Sequence, residues 1–457
     1  MAVTTGVDRG RLEGLLAVEN RRFDDERPGS LQRRERARRT MPRGVPMAWM
    51  DDFYEHPPVW VTRAQGARFS DCDGHQYLDF YVADMSAFCG HVPEAVVDAV
   101  SERMRLGNQF LLPSEDAIPV AEHLAQRYGL PKWQFTLSAS QANAEVIRLA
   151  RHATGREVVL VFEGKYHGHV DAMLMVLDDG RLRPEFLGLG SGLERGVRIV
   201  PFNDLGALER ALAPGDVALV LTEPALTNAG FILPEPGFHE AVRGLTSAAG
   251  TLLAVDETHT LVTAYAGLTG EWGLRPDFLT LGKSIAAGVP LGTYGMTDAL
   301  AALLAGPDDP AVVAGVPTGE VATGGTLFAN ALSLAAARVA LIEVLTDDAF
   351  RRTAELGARL ANGIESAIRG QNLPWSVAHF GSHAYYFFCP EPPRDAAESR
   401  AADDPDLRAF IRVYMANRGV WESGWWLGPT VSVAHDERDV EEYLSVFADC
   451  LAALAPD

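Results

Sequence analysis

The chain has 457 residues, 47% of them apolar and 22% charged, the balance of a soluble globular protein with room for two or three domains. A formal net charge of −21 argues against nucleic acid or an acidic membrane as partner, and the interrupted basic stretch Arg33-Arg34-Glu35-Arg36-Ala37-Arg38-Arg39 reads as a solvated helix face. There is no apolar run of membrane-spanning length and no signal-peptide layout at the start, and Cys72, Cys89, Cys389 and Cys450 lack CxxC or metal spacing, so the expected setting is cytoplasmic with reduced thiols.

Residues 1–45 are arginine-rich and read as a helix followed by an extended arm. Alternating residues over 59–63 and 67–70, then turn chemistry at Asp71-Cys72-Asp73-Gly74 and a strand over 76–80, predict a small hairpin sheet. From about residue 93 helices alternate with short buried strands. The strands fall at 157–162, 217–222, 251–256, 278–282 and 292–296, and the helices near 94–106, 141–153, 204–213 and 238–248. That alternation predicts a mostly parallel sheet covered on both faces. Beyond residue 331 long helices (331–346, 350–368, 405–418, 437–454) surround two short strands at 384–388 and 430–433, an α+β pattern, with 390–404 reading as an exposed loop. The expected division is 1–75 as an N-terminal helix, arm and hairpin, 76–330 as the large domain, and 331–457 as a C-terminal small domain.

Lys283 ends one buried strand and Asp256 ends its neighbour, so both face the crevice at the strands' carboxyl ends. A buried ammonium is costly unless it is paired, neutralised or covalently engaged, and a Schiff base with pyridoxal phosphate removes that cost. A buried carboxylate is what that cofactor's pyridinium nitrogen needs. A nucleotide-hydrolase reading of Gly282-Lys283-Ser284 fails, because the glycine its phosphate loop requires is Asp277 here. Ser138-Ala139-Ser140 opens a helix directly after Phe135-Thr136-Leu137, and free N–H groups at a helix start suit a phosphate. Tyr166-His167-Gly168-His169 follows a strand, where an aromatic ring can stack on a planar cofactor; two histidines without a third ligand do not make a metal site.

From about Met41 onward these segments, in this order, resemble the class III aminotransferases of pyridoxal-phosphate fold type I, most of all the glutamate-1-semialdehyde aminomutase branch and its transaminase relatives. The resemblance implies an α/β fold: a large, mostly parallel sheet domain and a smaller α+β domain built from the N- and C-terminal segments. Asp71-Cys72-Asp73-Gly74 with Tyr77-Leu78-Asp79 resembles the family's entry hairpin, and Gly90-His91 its Gly-His. Ser138, Ala139 and Ser140 stand at its phosphate loop, Tyr166 and His167 at its ring-stacking motif, and Glu223 in its Glu-Pro. Asn228 falls near the implied phenolic oxygen of the cofactor, Asp256 at the pyridine nitrogen, and Thr258 where a valine packs under the ring. Lys283 is the Schiff-base lysine, and Thr326 in Gly325-Thr326-Leu327 the residue that reaches the partner subunit's phosphate. A homodimer with shared active sites is therefore implied. Ser432-Val433-Ala434-His435 resembles the branch's C-terminal strand.

The departures bear on substrate. The branch's carboxylate-binding arginine aligns with Ala48, and its active-site tryptophan with Asp84, which disfavours glutamate semialdehyde. Asp84, Trp49, Trp421, Trp425 and Trp426 suggest instead a substrate with a bulky apolar or cyclic part, and a second amine facing Asp84. Arg43 or Arg63 is the alternative holder of a carboxylate; core or interface packing is the alternative role of the tryptophans. The activity implied is amino transfer between an amine or amino-acid donor and a keto-acid or aldehyde acceptor. Asp256 would keep the cofactor ring protonated and Lys283 would move the proton. Intramolecular amino transfer, epimerisation and decarboxylation remain open on the same scaffold, as does an inert binding protein, which retention of Lys283 with Asp256 argues against.

Overall fold

The computed structural model describes residues 5–178, 180–304, 312–313, 316–317, 321–422 and 428–455. The chain forms two compact units, one from Met1–Glu94, Asp348–Pro393 and Ala397–Asp457, the other from Ala95–Asp347 with Arg394–Ala396.

The first unit begins with α1 (Arg9–Glu26), capped by the Asp8 carboxylate, which accepts the Arg11 N–H at 2.7 Å. Pro28 then opens a second helix, α2 (Pro28–Ala37). Residues 9–37 are thus two helices in succession where one helix and an extended arm were expected, because a proline at the first helical position starts a helix as readily as it ends one. After the short α3 (Trp49–Asp52) come β1 (Val61–Gln65), β2 (Arg68–Asp71) and β3 (Gln76–Asp79), an antiparallel meander.

The second unit holds α4 (Glu94–Leu106), α5 (Ala117–Tyr128), β4 (Lys132–Thr136), α6 (Ala139–Thr154), β5 (Val158–Phe162) and the hairpin β6 (Met175–Asp178) and β7 (Arg181–Pro184). It continues through β8 (Val197–Val200), α7 (Leu205–Leu212), β9 (Val217–Thr222), α8 (Phe238–Ala249), β10 (Leu252–Asp256), α9 (Gly267–Glu271), β11 (Phe278–Leu281) and β12 (Gly292–Met296). It closes with α10 (Asp298–Ala301), the two-residue strands β13 (Val312–Val313) and β14 (Val316–Pro317), and α11 (Ala331–Val339). Seven strands make one sheet in the order β4-β12-β11-β10-β9-β5-β8, parallel except for β12, which runs against both neighbours.

Along β5 the side chains alternate between faces. Val159 and Val161 join Ala142, Val146 and Leu149 of α6 in one core, while Val158, Leu160 and Phe162 join Leu208, Phe238 and Val242 of α7 and α8 in another. Each such burial contributes about 1.5–3 kcal/mol. A sheet sealed on both faces leaves its strand ends as the place where polar chemistry meets a dry interior.

The first unit resumes with α12 (Asp347–Gly370), β15 (Ser376–Phe380) and β16 (His383–Phe387), then α13 (Ala396–Ala402), α14 (Pro405–Ala416), β17 (Val420–Trp421) and α15 (Glu437–Leu454). β17 extends the meander, parallel to β3 with Val420 opposite Leu78. Its core gathers Phe80, Leu360, Ile364, Phe410, Ile411 and Tyr443. Two sequence expectations are corrected. Residues 390–404 contain a helix with buried Ala396, Ser399 and Ala402, since an Ala-rich stretch favours helix even beside prolines. The strand expected over 430–433 is reduced to one antiparallel bridge between Thr430 and His383, because Thr430, Val431 and Val433 donate to Phe80, Ser382 and Phe88, three different segments, and the ladder does not extend. Among the described residues no helix is long and apolar enough to cross a membrane.

Candidate active site

β10 and β11 pair in parallel with Asp256 opposite Thr280, which places Lys283 three residues beyond that partner. β9 ends at Thr222, opposite Val255, so Glu223 emerges beside them, and β5 ends at Phe162, just before Tyr166 and His167. Four neighbouring strands thus release their polar residues at one edge, the carboxyl ends where α/β sheets hold ligands. Lys283 opens a single turn of 3₁₀ helix, Lys283–Ala286, with φ of 52°, a left-handed conformation that costs a lysine about 1–2 kcal/mol.

Asp256 is buried and its carboxylate has four donors. His167 Nδ1 lies 2.9 Å and Asn143 Nδ2 2.8 Å from Oδ2, while the N–H and hydroxyl of Thr258 reach Oδ1 at 3.0 and 2.5 Å. Burial alone would push this acid up. Hydrogen bonding and charge from His167, then Thr258 and Asn143, outweigh it and hold the group at about 2. Because the carboxylate can only accept, His167 carries its proton on Nδ1. The neighbouring Glu257 goes the other way: it is fully buried, bonded to Thr260 and Thr269, and burial raises it.

Glu223 organises a second cluster. Its Oε1 accepts the Tyr166 N–H at 3.2 Å, and its Oε2 accepts from Thr227 N at 3.1 Å and Thr227 Oγ1 at 2.6 Å. Thr227 Oγ1 lies 2.5 Å from His259 Nδ1, and Asn228 Nδ2 lies 3.4 Å from the same nitrogen.

The start of α6 is the third component. Ser138 makes no side-chain cap bond, so the first N–H groups of a 16-residue helix lack the usual internal acceptor. Glycine makes the close approach possible. A Cβ on Gly168 would stand 2.1 Å from Ser140 Oγ, one on Gly292 2.2 Å from the Ser138 carbonyl carbon, and one on Gly282 3.0 Å from Ala139 Cβ. Gly282 immediately precedes Lys283, so the helix start is packed against the lysine's turn. Ser140 Oγ also accepts the His169 N–H at 3.0 Å.

This donor set fits pyridoxal phosphate: an anionic buried acid for the pyridine nitrogen, a helix start beside glycines for the phosphate, and a lysine between them. The buried Asn143 Oδ1, His167 Nε2 and Thr280 Oγ1 have no partner within the described chain, so polar capacity remains in this cluster. No group of three or more His, Cys, Asp or Glu among the described residues is placed to hold a metal ion.

Of the residues picked out in the sequence, the structure bonds His167 and Thr258 directly to Asp256, joins Tyr166 to Glu223, and links Asn228 to them through His259. Ser138, Ala139 and Ser140 lie against Gly292, Gly282 and Gly168. Thr326 is exposed, its carbonyl accepting from Gln109 Nε2. Asp84 and Trp49 belong to the other unit, and Trp425 lies outside the described residues. Asp84 sits in a run of four left-handed residues, Val82, Ala83, Asp84 and Met85, with φ of 54°, 46°, 54° and 68°. Buried Val82 and Met85 fasten that turn, as do N–H bonds from Tyr81 and Val82 to Asp79 Oδ1 at 3.1 and 2.9 Å. Trp49 stacks edge-on against Phe53, and Trp421 is a buried core ring against Tyr54 and Phe69. Asn143, Thr227 and His259 escaped the sequence reading. Their only local signal is position, four residues beyond Ala139, four beyond Glu223 and three beyond Asp256.

Comparison with known proteins identifies the family and the fold. The family model of class III aminotransferases matches residues 50–382. A glutamate-1-semialdehyde 2,1-aminomutase of Sorangium cellulosum is 34% identical over 403 residues, covering 87% of this chain and 90% of that protein. The crystal structure of a glutamate-1-semialdehyde-aminomutase from Pseudomonas aeruginosa PAO1 superposes with a TM-score of 0.93 at 40% identity, over 98% of this chain and 100% of that one. The same protein with a lysine replaced by alanine was solved in complex with PMP. A β-phenylalanine aminotransferase from Variovorax paradoxus superposes with a TM-score of 0.85 at 27% identity, covering 96% and 97%.

Proposed function

The chain belongs to the class III aminotransferases and is a pyridoxal-phosphate-dependent enzyme; from that premise we propose that Lys283 and Asp256 are its catalytic pair. The bound cofactor supplies an electron sink for the carbon from which a proton leaves. Asp256, kept ionised by its four donors, holds a proton on the pyridine nitrogen. Lys283 would tether the cofactor and its amine would move the proton at the substrate carbon. The N–H groups at Ala139 and Ser140 would hold the phosphate, and Tyr166 and Thr258 would contact the ring. The single observation that carries this reading is the parallel register that sets Lys283 beside a buried aspartate with four donors.

Intermolecular amino transfer is favoured over the intramolecular reaction for which two of the relatives are named. Position 48 is alanine, at the start of α3, and brings no guanidinium to a substrate carboxylate. Asp84 and Trp49 are the proposed substrate contacts, Asp84 taking a second amine. Presenting the donor before any acceptor decides between the readings: a transaminase releases the carbonyl product at once. A Lys283→Ala protein that kept full turnover would end the proposal.

A homodimer with shared sites is part of the same reading. Met104, Leu106, Phe110, Leu111 and Leu112 are about half to three-quarters exposed in the single chain, and Leu327 beside Thr326 is likewise exposed. Apolar surface of this extent on neighbouring segments suits burial against a second copy. Thr326, tied to Gln109 within that stretch, would then reach the partner's phosphate. Sedimentation tests the dimer. Mixing Lys283→Ala with an inactive Thr326 variant should restore activity in heterodimers if the sites are shared. Four free cysteines suit a reducing cytoplasm.

A further inference from the structure

We infer that His259 is a positioning residue: its Nδ1–H fixes the orientation of the Asn228 amide, so that the NH₂ of Asn228 points away from His259 and is available to an anionic oxygen. The inference rests on the reading above, in which Asn228 stands near the cofactor's phenolic oxygen.

The argument is a proton count. Glu223 accepts at both oxygens, from Tyr166 N on one and from Thr227 N and Oγ1 on the other. Thr227 has a single hydroxyl proton, and at 2.6 Å it goes to the carboxylate. The 2.5 Å contact between Thr227 Oγ1 and His259 Nδ1 therefore needs its proton from the ring, which makes His259 the Nδ1–H form. The side-chain amide of Asn228 is 3.4 Å from that same Nδ1. An NH₂ cannot donate to a nitrogen that already carries a hydrogen. Oxygen and nitrogen of an amide are assigned by their partners, so the favourable assignment turns the Asn228 oxygen to His259, as the longer, second acceptor of an N–H given mainly to Thr227, and its NH₂ outward. All of Glu223, Thr227 and His259 are buried, so water does not compete for these bonds. The chain also joins strand ends: Tyr166 follows β5, Glu223 follows β9, and His259 follows Asp256 on β10.

Two measurements test it. In the apoprotein labelled with ¹⁵N at histidine, His259 should show a protonated Nδ1, and a neutral ring protonated at Nε2 alone would overturn the inference. In the cofactor-loaded enzyme, a donor to an anionic phenolic oxygen favours the deprotonated chromophore, so losing it raises the pH midpoint of the visible band. Asn228→Ala should raise that midpoint by about one unit, and His259→Leu should reproduce most of the rise. His259→Asn, which returns an N–H near the Nδ1 position, should stay close to the unsubstituted enzyme. If Asn228→Ala leaves the band unmoved, the assignment of Asn228 itself fails and takes this inference with it. If Asn228→Ala moves the band while His259→Leu does not, or His259→Asn shifts as far as His259→Leu, only the role of His259 falls.

Discussion

Asp256 in the sheet unit and Glu422 in the terminal unit are both buried carboxyls just at or beyond the end of a strand, yet their environments drive them in opposite directions. Asp256 receives four donors spread over both oxygens, one of them a histidine that adds charge, and is held at about 2. Glu422 receives the hydroxyls of Tyr386 and Tyr443 on one oxygen, at 2.8 and 2.9 Å, and its Oε2 has no partner among the described residues. Burial therefore wins there and raises it, against the lowering effect of both tyrosines and Arg412. Glu257, adjacent to Asp256 in sequence, is raised as well. Depth of burial does not distinguish these acids. The number and charge of the donors do, and the sheet unit concentrates donors on the carboxyl proposed to face the cofactor's pyridine nitrogen.

The largest effect that follows is on Asp256. Asp256→Ala should lower kcat by about 10²- to 10³-fold, the scale of removing a preorganised charge from a reacting group, while retaining the fold by circular dichroism. Asp256→Asn keeps the volume and loses the charge, so it should fall nearly as far; full activity in either variant would break the contrast between the two acids. Asp256 also carries a stability signature. Its folded-state value lies below the unfolded one, so its contribution is complete above about pH 4 and is lost as the pH falls toward 2.

Next in size is His167, the largest lowering influence on Asp256. His167→Leu leaves Asp256 with Asn143 and Thr258 and should cost about tenfold in kcat, the worth of one charge-assisted bond. His167→Asn restores a donor at the Nδ1 position and should recover much of the loss. Equal damage from both variants would mean that packing, and not donation to Asp256, is what His167 provides.

The terminal unit should answer to mild acid, well above the pH at which Asp256 titrates. His56 and His435 are buried there and burial lowers both to about 3. Ser432 N–H points at His435 Nδ1 from 3.0 Å, which leaves no room for a second proton. A lowered histidine is neutral when folded and protonated when unfolded between about pH 3 and 6.5, so the unfolded state binds more protons and stability falls as the pH drops below 6.5. Two such groups cost together about 2–3 kcal/mol between pH 7.5 and 5.5, a fall in melting temperature of roughly 5–10 °C. His435→Gln should flatten that slope. An unchanged slope would show that the ring titrates normally.

How much of this could be read beforehand depends on where the information sits. Residues 217–222, 292–296 and 437–454 were delimited from sequence to the residue, because fully buried strands and a long amphipathic helix write their period into the chain. Edge strands did not. Lys132–Thr136 mixes exposed and buried positions, Val197–Val200 is four residues long, and Val420–Trp421 is two. Lys283 and Asp256 were legible because each ends an apolar run. Asn143 was not, since its bond to Asp256 joins positions 113 residues apart, and no local pattern announces it. Thr227 and His259 were hidden for the same reason: a hydroxyl and an imidazole acquire meaning only when two strand ends bring them to 2.5 Å.

The smallest effect is expected at Glu422, and it is the sharpest check on the comparison. Glu422→Gln keeps an oxygen for the hydroxyls of Tyr386 and Tyr443 and places an NH₂ where Oε2 lacks a partner among the described residues. The loss in stability near pH 5 should stay within about 1 kcal/mol, the order of one neutral hydrogen bond, and kcat should change less than about twofold, the effect of an uncharged exchange outside the catalytic pair. The pH trend carries the information. Because Glu422 is raised on folding, the folded protein holds more protons than the unfolded one above the ordinary carboxyl value, and the unsubstituted protein loses stability as the pH rises through that window. The glutamine variant has no such proton to lose. Its melting temperature relative to the unsubstituted protein should therefore climb from pH 5 to pH 8. A difference that stays flat over that range would show that Glu422 is already ionised in the folded protein, as Asp256 is, and the contrast between the two units would collapse.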